Sequence, residues 1–114
     1  MTKFEEVFNQ SFEEILVSRL EAQYLVVSVI DDEVFVKLPD VDFGTSITLP
    51  KEVNEEYLEK QCNVHFAWFI NGTTNAEYNM HLRRLCAHLY TVFDILYYEY
   101  KLFKQIESEK LKDD

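Results

Sequence analysis

At 114 residues, 47% of them hydrophobic and 15% aromatic, the chain is long enough to bury a core of its own and too apolar for intrinsic disorder. Two Gly, two Pro and two Cys argue against a turn-rich sandwich or barrel and against a disulfide framework. The net charge of −10 sits wholly in the first half: residues 1–59 hold fourteen acids and four bases, residues 60–114 seven of each. One domain over 1–114 is expected, an acidic α/β part (1–59) followed by a charge-neutral helical part (60–114).

Thr2-Lys3-Phe4-Glu5 reads as a capping box, in which the Thr hydroxyl accepts from the amide three residues on and the Glu reaches back. Phe4, Val7, Phe8, Phe12, Ile15, Leu16 and Leu20 follow at helical spacing, which predicts a helix over 3–20 with Glu5, Glu6, Glu13 and Glu14 facing outward. Tyr24 to Ile30 is a β-branched apolar run, and Val34, Val36 and Leu38 alternate with Phe35 and Lys37. Between them lies Asp31-Asp32-Glu33, so the pair predicts a hairpin. Residues 39–44 read as a loop, and Ser46–Leu49 offers a short third strand.

Pro50 and Lys51 read as the opening of a second helix, with Glu52, Glu55 and Glu56 in the turns where the helix dipole favours acids. It runs through Leu58, Cys62, Phe66 and Phe69 to Ile70, and Asn71-Gly72 ends it. Thr74-Asn75-Ala76-Glu77 looks like a second capping box. From there to Lys112 no Gly or Pro interrupts, giving a helix of roughly 36 residues and about 54 Å. The expected class is α+β: an N-terminal helix, a short antiparallel β-hairpin or three-stranded meander, then a helical hairpin with a long C-terminal arm. Tyr24, Val26, Val34 and Val36 are expected to pack on Phe8, Phe12 and Leu16 as the core.

In the last helix Tyr78, Leu82, Leu85, Leu89, Val92, Leu96, Phe103 and Ile106 form a seam at spacings of four and three, broken once by Glu99. Cys86, Tyr90, Phe93, Tyr97 and Tyr100 run beside it. A helix of this length overhangs a compact body whose radius of gyration would be about 13 Å. Leu89, Leu96, Tyr97, Tyr100, Phe103 and Ile106 are therefore expected to join copies into a homodimer or small oligomer.

The residues that carry chemistry are sparse. Cys62 and Cys86 read as reduced, buried thiols, and with no leader-like start or 18-residue apolar run a cytoplasmic protein off the membrane is expected. Asn71-Gly72-Thr73 spells a glycosylation sequon that reads more simply as a turn. Cys62, His65, His81, Cys86 and His88 lack a tight CxxC pair, so no metal and no cofactor is expected. Arg83-Arg84 suits ion pairing better than phosphate capture. With no glycine-rich phosphate loop and no GxSxG, the reading is non-enzymatic, without direct nucleic-acid binding.

The clustered carboxylates Glu5, Glu6, Glu13, Glu14, Asp31, Asp32, Glu33, Asp40 and Asp42 admit two readings. One is a solvated surface that keeps an apolar chain soluble. The other is a partner-binding face that imitates a phosphate backbone and occupies the basic groove of a nucleic-acid-binding protein.

In size, acidity and Lys/Asn/Glu/Tyr-rich composition the chain resembles small phage-encoded proteins that inhibit host or defence machinery. The helix–Asn71-Gly72-Thr73-Thr74–helix segment, with Asn63, Val64 and Trp68 before the turn, resembles phage recombination mediators, though no site residue carries over. The resemblance implies a small acidic inhibitor or adaptor that engages a basic surface on a partner protein. The alternative it implies is a structural or accessory subunit of a phage particle or recombination assembly, working through its long helix.

Overall fold

A computed structural model describes residues 2–72 and 74–113, so Thr73 of the sequon lies outside the described residues. The chain is α+β, in the order α1 (Lys3–Ala22), β1 (Val26–Ile30), β2 (Glu33–Lys37), β3 (Gly44–Thr48), α2 (Glu55–Asn71) and α3 (Ala76–Asp113).

The capping box forms as read: Thr2 Oγ1 accepts from the Glu5 amide at 3.2 Å, and the Glu5 carboxylate accepts from the Thr2 amide at 3.4 Å. Phe8, Phe12, Leu16 and Leu20 are the buried stripe of α1. The helix ends in a Schellman motif. Tyr24 adopts φ 62° and donates to the Glu21 carbonyl, while Leu25 N–H reaches Leu20 at 3.4 Å. That geometry corrects two expectations. Tyr24 is the exposed left-handed residue of a helix terminus, not a strand residue, and 87% of its surface is open. Val26 also points outward, because β1 starts two residues later and its inner face carries Val27 and Val29.

The three strands form an antiparallel meander in the order β1-β2-β3, so β1 and β3 are both edges. A two-residue turn joins β1 to β2, with Asp31 at φ 55°, a region Asp tolerates better than most residues. Val34, Val36 and Ile47 face inward and are buried. The third strand begins at Gly44, earlier than the sequence suggested; a Cβ there would run into the Val36 carbonyl.

Helix α2 starts at Glu55 instead of Pro50, because Asn54 caps it by accepting from Tyr57 N–H at 2.8 Å. The preceding segment is pinned elsewhere: Val53 is buried and exchanges two hydrogen bonds with the Asn9 side chain. Gly72 ends α2 at φ 61°, as read. The cap of α3 is shifted by one from the expected box: Asn75 Oδ1 accepts from Tyr78 N–H.

At 38 residues, α3 sets the long axis of a 57 × 28 × 22 Å molecule. Its radius of gyration, 15.7 Å, exceeds the roughly 13 Å of a compact chain of this size. Helix α2 packs antiparallel to α3, with Tyr57 on Phe93 and Phe66 on Tyr90. Helix α1 flanks it as well, with Phe8 edge-on to Tyr100 and Phe4 against Phe103. Phe4 N–H donates to Glu107, so the distal part of α3 is covered on one side. One cluster of buried residues joins α1, the sheet, α2 and α3.

Candidate functional site

The nine clustered carboxylates do not form one face. Three of them are engaged within the chain. Burial pushes the Glu5 carboxyl up, but hydrogen bonds from Thr2, the Lys104 charge and the Tyr100 hydroxyl outweigh it and hold it below the ordinary range. Glu33 accepts from the Thr48 hydroxyl at 2.8 Å. Asp40 takes both arms of the Arg84 guanidinium, whose hydrogen bonds lower its pKa. Each of these side chains therefore has a contact within the chain, and Asp40 stays 55% exposed beside Arg84.

The side-chain carboxylates of Glu6, Glu13, Glu14, Asp31, Asp32 and Asp42 have no hydrogen-bond or ion-pair partner among the described residues. Asp42 lies apart, beside Asn75 and Glu77 at the start of α3. Glu13 and Glu14 line a depression with Val17, Ser18, Glu21 and Val29. There the outer side of α1 meets edge strand β1, and Asp31-Asp32 follow directly at the end of that strand. Glu21 and the unpaired backbone edge at Val27 and Val29 thus join the acidic face. Neither was singled out from sequence, because membership depends on where β1 lies against α1.

The residues expected to join copies also divide. Leu89 and Leu96 have no exposed surface and Tyr100 has 1%, so all three belong to the chain's own core. The expectation that they form an interface gives way to packing against α1 and α2. Tyr97 is half-buried, donating to Glu59 at 3.4 Å with Lys101 over its ring. Phe103 and Ile106 remain 47% and 38% exposed. Ile106 joins Ile95, Tyr98 and Leu102 in a separate apolar stripe at spacings of three and four on the outward face of α3. That stripe went unnoticed in the sequence beside the stronger buried seam.

The cysteines, two of the histidines and Arg83 have structural places. Burial pushes the Cys62 and Cys86 thiols up to about 11. His81 meets Arg84 at 3.2 Å, and His88 meets the Gln23 side chain at 2.9 Å. Arg83 donates to the Ile70 carbonyl at the end of α2. Among the described residues no three His, Cys, Asp or Glu side chains gather as metal ligands would. No described helix is long and apolar enough to cross a membrane. No family model, curated protein or solved structure matches the chain.

Proposed function

We propose that the chain is a non-enzymatic protein-interaction module, a small acidic inhibitor or adaptor of the cytoplasm that binds a basic surface on a partner protein. What supports this reading is the set of Glu13, Glu14 and Glu21, whose carboxylates have no partner among the described residues, beside the open edge of β1. Free carboxylates flanking a strand edge attract Lys and Arg, and the edge supplies backbone groups for register. The protonated, buried thiols fit a role without a nucleophile. A nucleic-acid-binding protein is the partner class whose basic groove suits this face, which would stand in for phosphates.

The test is a pull-down from the source cell with the wild type and with a variant carrying Glu13→Lys, Glu14→Lys, Asp31→Lys and Asp32→Lys. Proteins lost from the variant should be basic. Their affinity for the wild type should fall steeply between about 0.1 and 0.5 M salt, as the Debye length contracts from about 10 Å. A partner that survives charge reversal, or an affinity indifferent to salt, would remove the acidic face from the account.

The stripe Ile95, Tyr98, Leu102 and Ile106 favours a second reading, in which α3 is the main contact of an assembly subunit or of a homodimer. The second half of the chain carries no net charge, so two copies can approach there without repulsion. Light scattering on the wild type and on Leu102→Asp with Ile106→Asp decides it. Self-association requires a wild-type mass well above 13.6 kDa that the double variant lowers while staying folded.

A further inference from the structure

β3 is an edge strand with no neighbour on its outer side among the described residues. Beyond β3 a groove of about 500 Å³ opens between that strand and the α2–α3 hairpin, and Val64, His65 and Trp68 of α2 line it with Leu82 and Cys86 of α3. Trp68 and Val64 stand 47% and 40% exposed at its rim. The opposite wall is the free edge of β3. Leu49 N–H donates to Asp32 at 2.7 Å, and antiparallel alternation therefore turns the Thr45 and Ile47 backbone groups toward β2 and those of Gly44, Ser46 and Thr48 away from it. Of the outward groups the Thr48 carbonyl accepts from the Tyr57 hydroxyl at 3.5 Å.

One side chain that lines the groove holds a buried ring nitrogen with no partner among the described residues. His65 is 8% exposed, its ring is stacked on Phe93 at 5.5 Å, and its Nε2 makes no hydrogen bond among the described residues. Burial lowers its pKa to about 4, so the imidazole is neutral near pH 7 and suits an uncharged hydrogen-bonding group. Among the described residues no charged side chain lines the groove. An ionised occupant would lose hydration there and gain no counter-charge.

We propose that the groove takes an extended, uncharged segment of a partner protein, which adds to β3 as a fourth strand and hydrogen-bonds His65 Nε2 through a side-chain hydroxyl or amide. A strand in that place would lie about 4.8 Å beyond β3, above Val64 and Trp68. Alternate side chains would point down onto Leu82 and Cys86, and its backbone would meet the outward groups of Gly44 and Ser46. The site is separate from the acidic α1–β1 face, and neither needs the other.

The experiment selects binders from a displayed library of random peptides and follows the consensus peptide by nuclear magnetic resonance. The expected consensus alternates apolar residues with one Ser, Thr, Asn or Gln, and it shifts the Gly44, Ser46 and Thr48 amides and the His65 ring. Ser46→Pro, which removes an outward N–H and no ladder bond, should weaken binding about tenfold or more. His65→Phe should weaken it about fivefold, with the fold retained by circular dichroism. Should Ser46→Pro unfold, Trp68→Ala carries the same expectation. A library without consensus, or peptides that perturb α1 and β1 and ignore these substitutions, would overturn the proposal. So would a peptide-free dimer that Ser46→Pro dissolves, because it would assign the edge to a second copy.

Discussion

Tyr24 holds a backbone conformation that costs a residue with a Cβ about 1–2 kcal/mol, and its ring, 87% exposed, gains little in return. Glycine adopts the same φ without strain but adds freedom to the unfolded chain, which offsets part of the gain. Tyr24→Gly should therefore stabilise the protein by about 0.5–1 kcal/mol, read as a higher denaturant midpoint at unchanged slope. His65 supplies the residue-scale pH dependence. Its imidazole titrates at about 4 when folded and at 6.5 in the unfolded chain, so between these values the unfolded state holds the extra proton. Stability from this group is full above about pH 6.5 and falls by about 3 kcal/mol as the pH drops to about 4. His65→Phe should flatten that limb of the curve, measured as urea midpoints against pH. Tyr24 and His65 were illegible for one reason: φ angles and enclosure come from neighbours that a linear pattern does not name.

Among elements, α1 was the most legible, because its capping box and apolar period act within one helix and both survive in the structure. Its central ring, Phe12, is 3% exposed and packs on Phe8 and Tyr57. Phe12→Ala should cost about 3–5 kcal/mol, as large aromatic truncations in cores do; a near-native unfolding midpoint would mean that α1 is peripheral. β1 was the least legible. As an edge strand it packs weakly, so Val26 and Ile30 tolerate exposure, and apolar character alone does not say which face is inner. The start of α2 shifted because Asn54 is a better cap than the Pro50-Lys51 pair, while a tertiary anchor, Asn9 on Val53, holds the segment before it. In α3 the two apolar stripes were visible. Between Leu85 and Tyr100 they proved to be core because α1 and α2 enclose the helix there, whereas Tyr78, Phe103 and Ile106 at the ends of the seam stay exposed.

Across the whole molecule, the charge asymmetry was plain in the sequence, but its partition was not. Arg84 and Thr48 decide that Asp40 and Glu33 are internal partners, and both contacts come from residues distant along the chain. Besides the outward stripe of α3, the body has two unlike open surfaces along its sheet edges. The α1–β1 side is charged and bordered by β1, and the groove side is uncharged and bordered by β3. The two strand edges face different environments, so salt should discriminate between anything bound to one and anything bound to the other.

The docking of Phe4 on Glu107 has a kinetic consequence. That hydrogen bond closes 103 residues of chain, whereas the Arg83–Ile70 contact within the helical hairpin closes 13. The longer closure is more costly by about 2 kcal/mol of chain entropy. The α2–α3 hairpin should therefore assemble before the rate-limiting barrier, and the first turn of α1 should zip onto α3 after it. Phe4→Ala would then leave refolding in dilute denaturant nearly unchanged and speed unfolding, so that only one arm of the chevron moves. A matching drop in the refolding rate would place α1 in the nucleus instead.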